Sequence, residues 1–415
     1  MKKRAGIIGG GAAGLFTACM LKRYSGCGDI DVTILEKNPV PGKKLTLTGH
    51  GRCNITNRKP ADKLKEGYHE AGNFIYPALR EFGPDDTVRF FEDELGLKVK
   101  EEDNNRIFPV CDSAVKVRDA VLSYLSDCTA VKCDTRVLDV KKQSCFEVIT
   151  SKEKYCFDYL VLSCGGSSFP KTGSSGDSYR FAESLGHTVN RVSAALAPVN
   201  ADEEARRLTG ALSGVSLTAN VSLYFSDRKA ASCYGEILFA GFGLTGPAVM
   251  ELSREILPEI NGRDVRIELD LVPGKSDEEF DREFQKLIGA HPDSKISTLL
   301  TGFVPASVAG EIVSRAGLTD LYAQGFTKEN RKKIIKHIKH LGIGIEQAPS
   351  LDTAYVTRGG VSLREIDRKT FSSRLVQGLY IIGEAVDIDG VSGGYNLQAC
   401  MSEAYLTAKD ILSRK

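Results

Sequence analysis

The sequence predicts an α/β chain in which a Rossmann-like dinucleotide-binding domain is interrupted by a small all-β unit and a helical segment. Three observations predict it. A Gly9-x-Gly11-x-x-Gly14 turn joins an apolar strand to an apolar helix, a second apolar strand with a glycine-rich turn and helix occupies residues 378–412, and short alternating runs followed by helical spacing lie between them. At 415 residues the chain exceeds one ordinary core, so two or three domains are expected. High Gly (41) with low Pro (14) suits many tight strand-to-helix turns.

The first element is AGIIGGGAAGLFTACMLKR, with Ala5 to Ile8 extended and an apolar helix face through Leu15, Ala18, Cys19 and Lys22. Gly9 permits the turn, Gly11 lets backbone approach a pyrophosphate, and Gly14 lets helix and strand pack closely. The phosphate is expected on exposed N–H groups at the helix N-terminus. IDVTILEK then reads as a second parallel strand ending in Glu36, an acid placed to accept hydrogen bonds from ribose hydroxyls. These residues specify an adenine dinucleotide and leave FAD against NAD open.

FDYLVLSCGGSSFP, Phe157 to Pro170, reads as a buried strand followed by small residues. From about 197 to 272, LTANVSLYFS, GEILFA and DVRIELDL alternate as in a small all-β unit. From about 275 to 342, DEEFDREFQKLIG, PASVAGEIVSRAG and KENRKKIIKHIKHLG have helical spacing, and the β unit is expected to close near 345–357. RKKIIKHIKH is read as a solvated amphipathic helix in preference to a nucleic-acid patch, because its Ile residues recur at helical intervals. At the far end, GLYIIGE is a strand, and a helix from about Gln398 follows a Gly-rich turn, forming a second loop-to-helix anion site.

Composition limits the partners. Lys+Arg 55 against Asp+Glu 54 leaves a net charge of +1, no general field for nucleic acid or an anionic membrane, so neither partner is expected. Eleven scattered cysteines without a CxxC read as reduced intracellular thiols and not as a disulfide framework or a metal site. MKKR before an apolar run resembles a lipoprotein leader, but five glycines within nine residues argue against an apolar leader helix, so a cytoplasmic protein is expected.

PGKKLTLTGHGRCNITN, CGGSSFPKTGSSGDSYRFAESLGH, GEILFAGFGLTGPAV and TRGGVSLREIDRKTFSSRLVQGLYIIGEAVDIDGVSGGYNLQ together resemble the YhiN/BaiN-type flavoproteins, also called the aminoacetone oxidase family, almost end to end. The resemblance implies a Rossmann-like FAD-binding domain of residues 1–196 and 358–415, a β-barrel of 197–274 and 343–357, and a helical insert of 275–342. It implies FAD held by Gly9, Gly11, Ala12, Ala13 and Gly14, by Glu36 and Lys37, and by Lys44, Gly51, Arg52, Cys53 and Asn54 of the loop. Val137, Cys164 and Gly165 are implied further along, as are Gly383, Glu384, Asp389, Gly394, Asn396, Leu397 and Gln398 near the C-terminus. Where the family has a Thr-His pair before GLSGP, this chain has Ala240-Gly241-Phe242, so any role of that histidine is lost.

Cys53 lacks a neighbouring resolving thiol or base and is read as a small flavin-facing or structural residue. Asp177 in GSSGD is either a substrate-orienting acid or a loop residue. Tyr395 is the candidate proton donor or substrate platform, and His50 a candidate general acid. The reaction implied is hydride transfer between flavin and a small organic substrate. One branch is an NADH- or NADPH-driven reductase of a carbon–carbon double bond conjugated to a ketone, on a steroid or bile-acid-like substrate. The alternatives are an amine oxidase of the aminoacetone type producing hydrogen peroxide and a non-catalytic flavin-binding protein. The cysteine count favours a reducing setting and hence the reductase. No second GxGxxG that would mark a separate NAD(P)H domain is visible, GFGLTG at 241–246 lying within the alternating β segment, so a nicotinamide would bind transiently near the flavin.

Overall fold

The computed structural model describes residues 2–26, 28–258 and 264–414. The chain divides into two compact units, Met1–Ser193 with Tyr355–Lys415, and Ala194–Ala354. Each is built around its own apolar core.

Five parallel strands organise the first unit: β1 Lys3–Ile8, β2 Ile30–Leu35, β3 Thr129–Lys132, β4 Tyr159–Leu162 and β5 Leu379–Ile381. They lie in the order β5-β4-β1-β2-β3. All four residues of β4 and the last four of β1 are buried, as expected of central strands covered on both faces. The register places Ile8 beside both Leu35 and Leu162, and Leu162 beside Ile381, so four strands end on one line. The chain moves outward from β1 through β2 to β3 and returns on the other side of β1 with β4. That reversal puts a topological switch point at the carboxyl ends of β1 and β4, where open α/β sheets bind ligands.

Two helices cover this edge. α1, Ala12–Ser25, is buried from Ala13 to Leu21, and α2, Tyr395–Ser413, packs against it. α2 begins at Tyr395, three residues before the expected start. A three-stranded meander, Val137–Lys142, Phe146–Thr150 and Lys154–Phe157, carries Val137.

The meander overturns one expectation. Cys145 and Cys156 form a disulfide, so the thiols are not uniformly reduced. Adjacent antiparallel strands bring their Cα atoms to 5.8 Å, within the span a bridge tolerates, a proximity that linear spacing does not reveal. The bridge also removes part of the basis for inferring a reducing setting from cysteine content.

In the second unit six strands run in the order Val199–Asn200, Gly243–Thr245, Arg228–Ala240, Ser216–Phe225, Val265–Asp270 and Leu341–Gly344. An antiparallel bridge between Ala201 and Ile345 joins the two edge strands, so the sheet closes on itself as a small barrel. Closure removes the unpaired edges that would otherwise template association. The closing strand begins two residues before the segment assigned to closure. Helices Asp277–Ala290, Ala306–Arg315 and Lys328–Lys339 occupy the three stretches with helical spacing, with Ser276 and Thr327 capping the first and third. Barrel and helices share one core, through Phe280, Phe284, Ile334 and Ile338 on the helices and Val221, Ile267 and Ile343 on the barrel. Among the described residues, no helix is long and apolar enough to cross a membrane.

Candidate active site

The shared line of strand ends sets out the site in the first unit. Immediately after it come Gly9, Glu36, Ser163 and Ile382. Gly14 sits so close to the first turn that a Cβ there would lie 2.1 Å from Gly9 O, which restricts the position to glycine. α1 starts at Ala12 with no side-chain cap and no acid in its first turn, leaving N–H groups and the positive end of the helix dipole for an anion. Around Gly11 the nearest atom to an added Cβ is 3.9 Å away, so the backbone there is open. Glu36 is buried and its carboxylate is aimed back at the turn, accepting Gly10 N–H at 2.8 Å and both Asn38 donors, N at 2.7 Å and Nδ2 at 2.8 Å.

Beside it, Lys37 Nζ donates to Asp177 Oδ2 at 2.6 Å and Ser175 Oγ at 2.7 Å. Burial pushes the Asp177 carboxyl up, and the Lys37 ammonium outweighs it, holding the acid below its ordinary value. Ser163 Oγ donates to the carbonyls of Ile8 and Gly9, both at 3.0 Å, tying β4 to the glycine turn. Cys164 follows, its thiol pushed up to about 12 by burial, and Gly165 takes a positive φ of 77°.

The loop at 41–57 is folded tightly, with Gly49, His50, Gly51 and Cys53 all at positive φ. His50 is exposed at its tip. Cys53 is fully buried and burial pushes its thiol up to about 12, which leaves no thiolate for nucleophilic work. Arg52 is directed to the strands that follow: Nε donates to Asp112 Oδ1 at 2.9 Å, Nη1 to Glu102 Oε2 at 3.2 Å, and the guanidinium stacks 4.2 Å from the Phe108 ring centroid. Asn54 is placed with its amide oxygen accepting Gly394 N–H at 3.2 Å, so the loop fastens the start of α2.

Lys44 alone among the loop cations reaches the C-terminal turn. Its Nζ donates to Glu384 Oε2 and to Ser168 Oγ, both at 2.6 Å. Glu384 Oε1 accepts Thr357 N–H at 3.0 Å, Thr357 Oγ1 and Ser168 Oγ. Three segments thus converge on one carboxylate. Next to Ser168, Phe169 has φ 50° and ψ 58°, a left-handed conformation that costs a bulky residue about 1–3 kcal/mol.

Gly383 N–H donates to Glu403 on α2, a fully buried acid whose carboxyl is pushed up to about 8 by burial. α2 also starts without a side-chain cap, behind Gly394. Asn396 closes the preceding turn through Gly390 N and O at 2.9 and 2.8 Å. Gln398 is fully buried and its side chain is engaged inside the core by Thr56, Thr87, Phe82 and Ser402. Leu397 is largely buried, as is Asp389, with His69 Nε2 3.9 Å from its Oδ2. Tyr395 lies edge-on to Tyr68 at 5.6 Å, and Lys59 Nζ donates to its hydroxyl at 3.1 Å. A Cβ on Gly67 would enter the Tyr395 ring at 2.3 Å, so that glycine sets the ring's position.

Ser168, Thr357, Lys59 and Glu403 escaped the sequence reading. Glu403 carried a signal, as an acid within the apolar run of a predicted helix. The hydroxyls and Lys59 carried none, because only folding brings them to Glu384 and Tyr395.

Two uncapped helix N-termini, a buried acid turned onto the glycine turn and a switch point at aligned strand ends define a Rossmann-like dinucleotide-binding protein, and its family and relatives make it an FAD-dependent oxidoreductase. The chain belongs to the family described as HI0933-like protein Rossmann domain, whose model matches residues 3–410. It is 29% identical over 422 residues to the 3-dehydro-bile acid delta(4,6)-reductase of Clostridium scindens, covering 99% of each chain. It is 30% identical over 418 residues to the ribosomal RNA dihydrouridine synthase of Haemophilus influenzae, covering 98% of this chain and 97% of the relative. Among solved structures, a 3-ketosteroid delta1-dehydrogenase from Sterolibacterium denitrificans shares the fold, with TM-score 0.52, 11% identity and 99% of each chain covered. The residues present fit FAD: the open N-terminus of α1 suits its pyrophosphate, Glu36 its adenosine ribose, and the uncapped start of α2 its electron-rich ring edge.

Proposed function

We propose that this chain is a reductase that adds two electrons and two protons across a carbon–carbon double bond conjugated to a ketone, on a steroid or bile-acid-like ring, with NADH or NADPH as donor. One observation carries the reading. Full-length relatives named for different substrates share a bond type, since a delta(4,6)-reductase acts on ring double bonds and dihydrouridine is uridine with its ring double bond saturated beside a carbonyl.

Bound FAD supplies the hydride. The chain's part is to hold the cofactor through Gly11, Ala12, Ala13, Glu36 and the start of α2, and to deliver a proton to the second carbon. Tyr395 Oη, 3.1 Å from Lys59 Nζ, is assigned to hold that proton, with the ammonium as its resupply. Lys44, Ser168 and Thr357 orient Glu384 at the turn.

A second reading takes the conjugated ring as a uracil base within RNA. The helix Lys328–Lys339 favours it, since Lys332, Lys333 and Lys336 are exposed.

The test is an anaerobic incubation of the FAD-loaded protein with NADH or NADPH and a 3-keto-4,6-diene steroid or a uridine-containing RNA, followed by mass spectrometry. A gain of two hydrogens per double bond in the steroid is expected, and in the RNA for the second reading. No gain in either, with aminoacetone bleaching the flavin and peroxide forming in air, would sink the reductase in favour of the oxidase.

A further inference from the structure

Phe169 and Tyr355 directly flank the hydroxyls that hold Glu384, one residue after Ser168 and two before Thr357. Their rings meet edge to face at 5.1 Å and 79°, yet neither enters the core: Tyr355 is 39% exposed and Phe169 is half-buried. Phe169 is doubly disfavoured where it stands, as a bulky residue at positive φ and as the residue before Pro170. Its neighbours impose that conformation. Thr172 N and Oγ1 donate to Phe169 O at 2.8 and 2.7 Å, and Ser168 N donates to Thr357 Oγ1 at 3.1 Å. A backbone held in this way keeps the half-buried ring beside Tyr355.

We propose that Phe169 and Tyr355 form an aromatic wall that selects a flat, conjugated ring and thereby separates substrate from product. This rests on the reductase reading. A ring holding a double bond conjugated to a carbonyl is planar and polarisable, and lies against an aromatic face or edge with good contact. Saturating the bond puckers the ring and lifts its hydrogens into the gap. The wall therefore grips the ring before reduction and loosens on it afterwards, which favours product release. A cyclic dienone and a uracil base share this chemistry, and the wall accepts either.

The experiment uses oxidised FAD-loaded protein, which cannot reduce the ligand, and measures dissociation constants from the perturbed flavin absorbance. One arm compares a 3-keto-4,6-diene steroid with its saturated 3-keto counterpart. The other compares an RNA hairpin containing uridine with the same hairpin containing dihydrouridine. Wild type is expected to prefer the flat member of one pair by roughly ten-fold. Phe169→Leu and Tyr355→Leu should each erase that preference with FAD content and melting temperature unchanged, while Tyr355→Phe keeps it. Should one leucine variant fail to fold, the other with Tyr355→Phe decides. Absence of preference in both pairs, or a preference surviving the folded leucine variants, overturns the wall. A protein that binds the flat ring selectively but never reduces it sinks the reductase reading alone, and one that reduces it with the variants' selectivity intact sinks the wall alone.

Discussion

Lys44 Nζ and Glu384 Oε2 stand 2.6 Å apart, joining the loop after β2 to the turn after β5 across 340 residues of sequence. Both side chains are mostly shielded, with 25% and 18% of their surface exposed. A charge pair shielded to this degree is costly to break from one side, because the partner is left desolvated. Lys44→Met is therefore expected to misplace the C-terminal turn and weaken FAD binding by roughly ten-fold or more, consistent with about 1–3 kcal/mol for a stranded polar group. Lys44→Arg, which keeps the charge, should recover part of it. Fluorescence titration of apoprotein with FAD reads the change, and an unaltered Lys44→Met affinity removes the pair from the cofactor site.

Tyr395 and His50 were the two acid candidates legible in the sequence, and the structure gives them different surroundings. Tyr395 has a lysine at its hydroxyl, while His50 is exposed at a loop tip. If Tyr395 delivers the proton, Tyr395→Phe lowers single-turnover conversion by roughly 100-fold with FAD retained, as general acids do. His50→Gln should change it less than about three-fold. Rapid-quench measurement on the reduced, FAD-loaded protein separates the two, and the opposite ranking would transfer the role to His50.

The first strand, glycine turn and helix were legible because local rules coincide there: apolar run, glycine spacing and a following acid all act within one βαβ unit. Helix assignments in the second unit were legible through the helical spacing of their apolar residues. The Cys145–Cys156 bridge and the cluster at Glu384 were not. They depend on strand register and on loops returning to one point, and single residues such as Ser168 or Thr357 carry no local mark of that destination. Arg52 illustrates the complementary limit: its place in GRCN suggested FAD, whereas folding commits its guanidinium to Glu102 and Asp112.

His187 ties the segment after the Asp177–Ser184 helix to the stretch before β5. Its ring is fully buried, with Nε2 2.8 Å from Ser373 Oγ and Nδ1 3.2 Å from Glu365 Oε2. Ser373 Oγ already accepts Leu375 and Val376 N–H, so its proton points to Nε2 and the ring is neutral with Nδ1 donating to Glu365. Burial holds the imidazole below its ordinary 6.5 despite the Glu365 charge. The sign follows: the unfolded chain takes up the proton first, so this group's contribution is complete above pH 6.5 and is lost as pH falls below it. Melting temperature of wild type should drop between pH 7.5 and 5.5 more steeply than that of His187→Gln; parallel curves would assign the acid loss to other groups.

Glu403 gives the opposite pH signature. Its carboxylate accepts Gly383 N–H through Oε2, Oε1 has no hydrogen-bond partner, and the residue is fully buried, so the neutral acid is the form that suits the site. Burial raises its pKa from 4.5 to about 8, against the smaller opposing effect of Gly383 N–H. The folded chain therefore keeps a proton that the unfolded chain gives up near pH 4.5. Stability from this group is complete below 4.5, declines as pH rises, and is lost above about 8. Glu403→Gln keeps an acceptor for Gly383 and cannot ionise, though its amide N–H groups need partners the site does not supply. The absolute stability of the variant thus mixes two effects, whereas the slope isolates one. Urea denaturation from pH 5 to 8.5 should show the variant gaining on wild type steadily as pH rises and levelling off past about 8. A pH-independent difference would mean that Glu403 is ionised throughout, and would make the acid beneath the C-terminal turn a fixed negative charge.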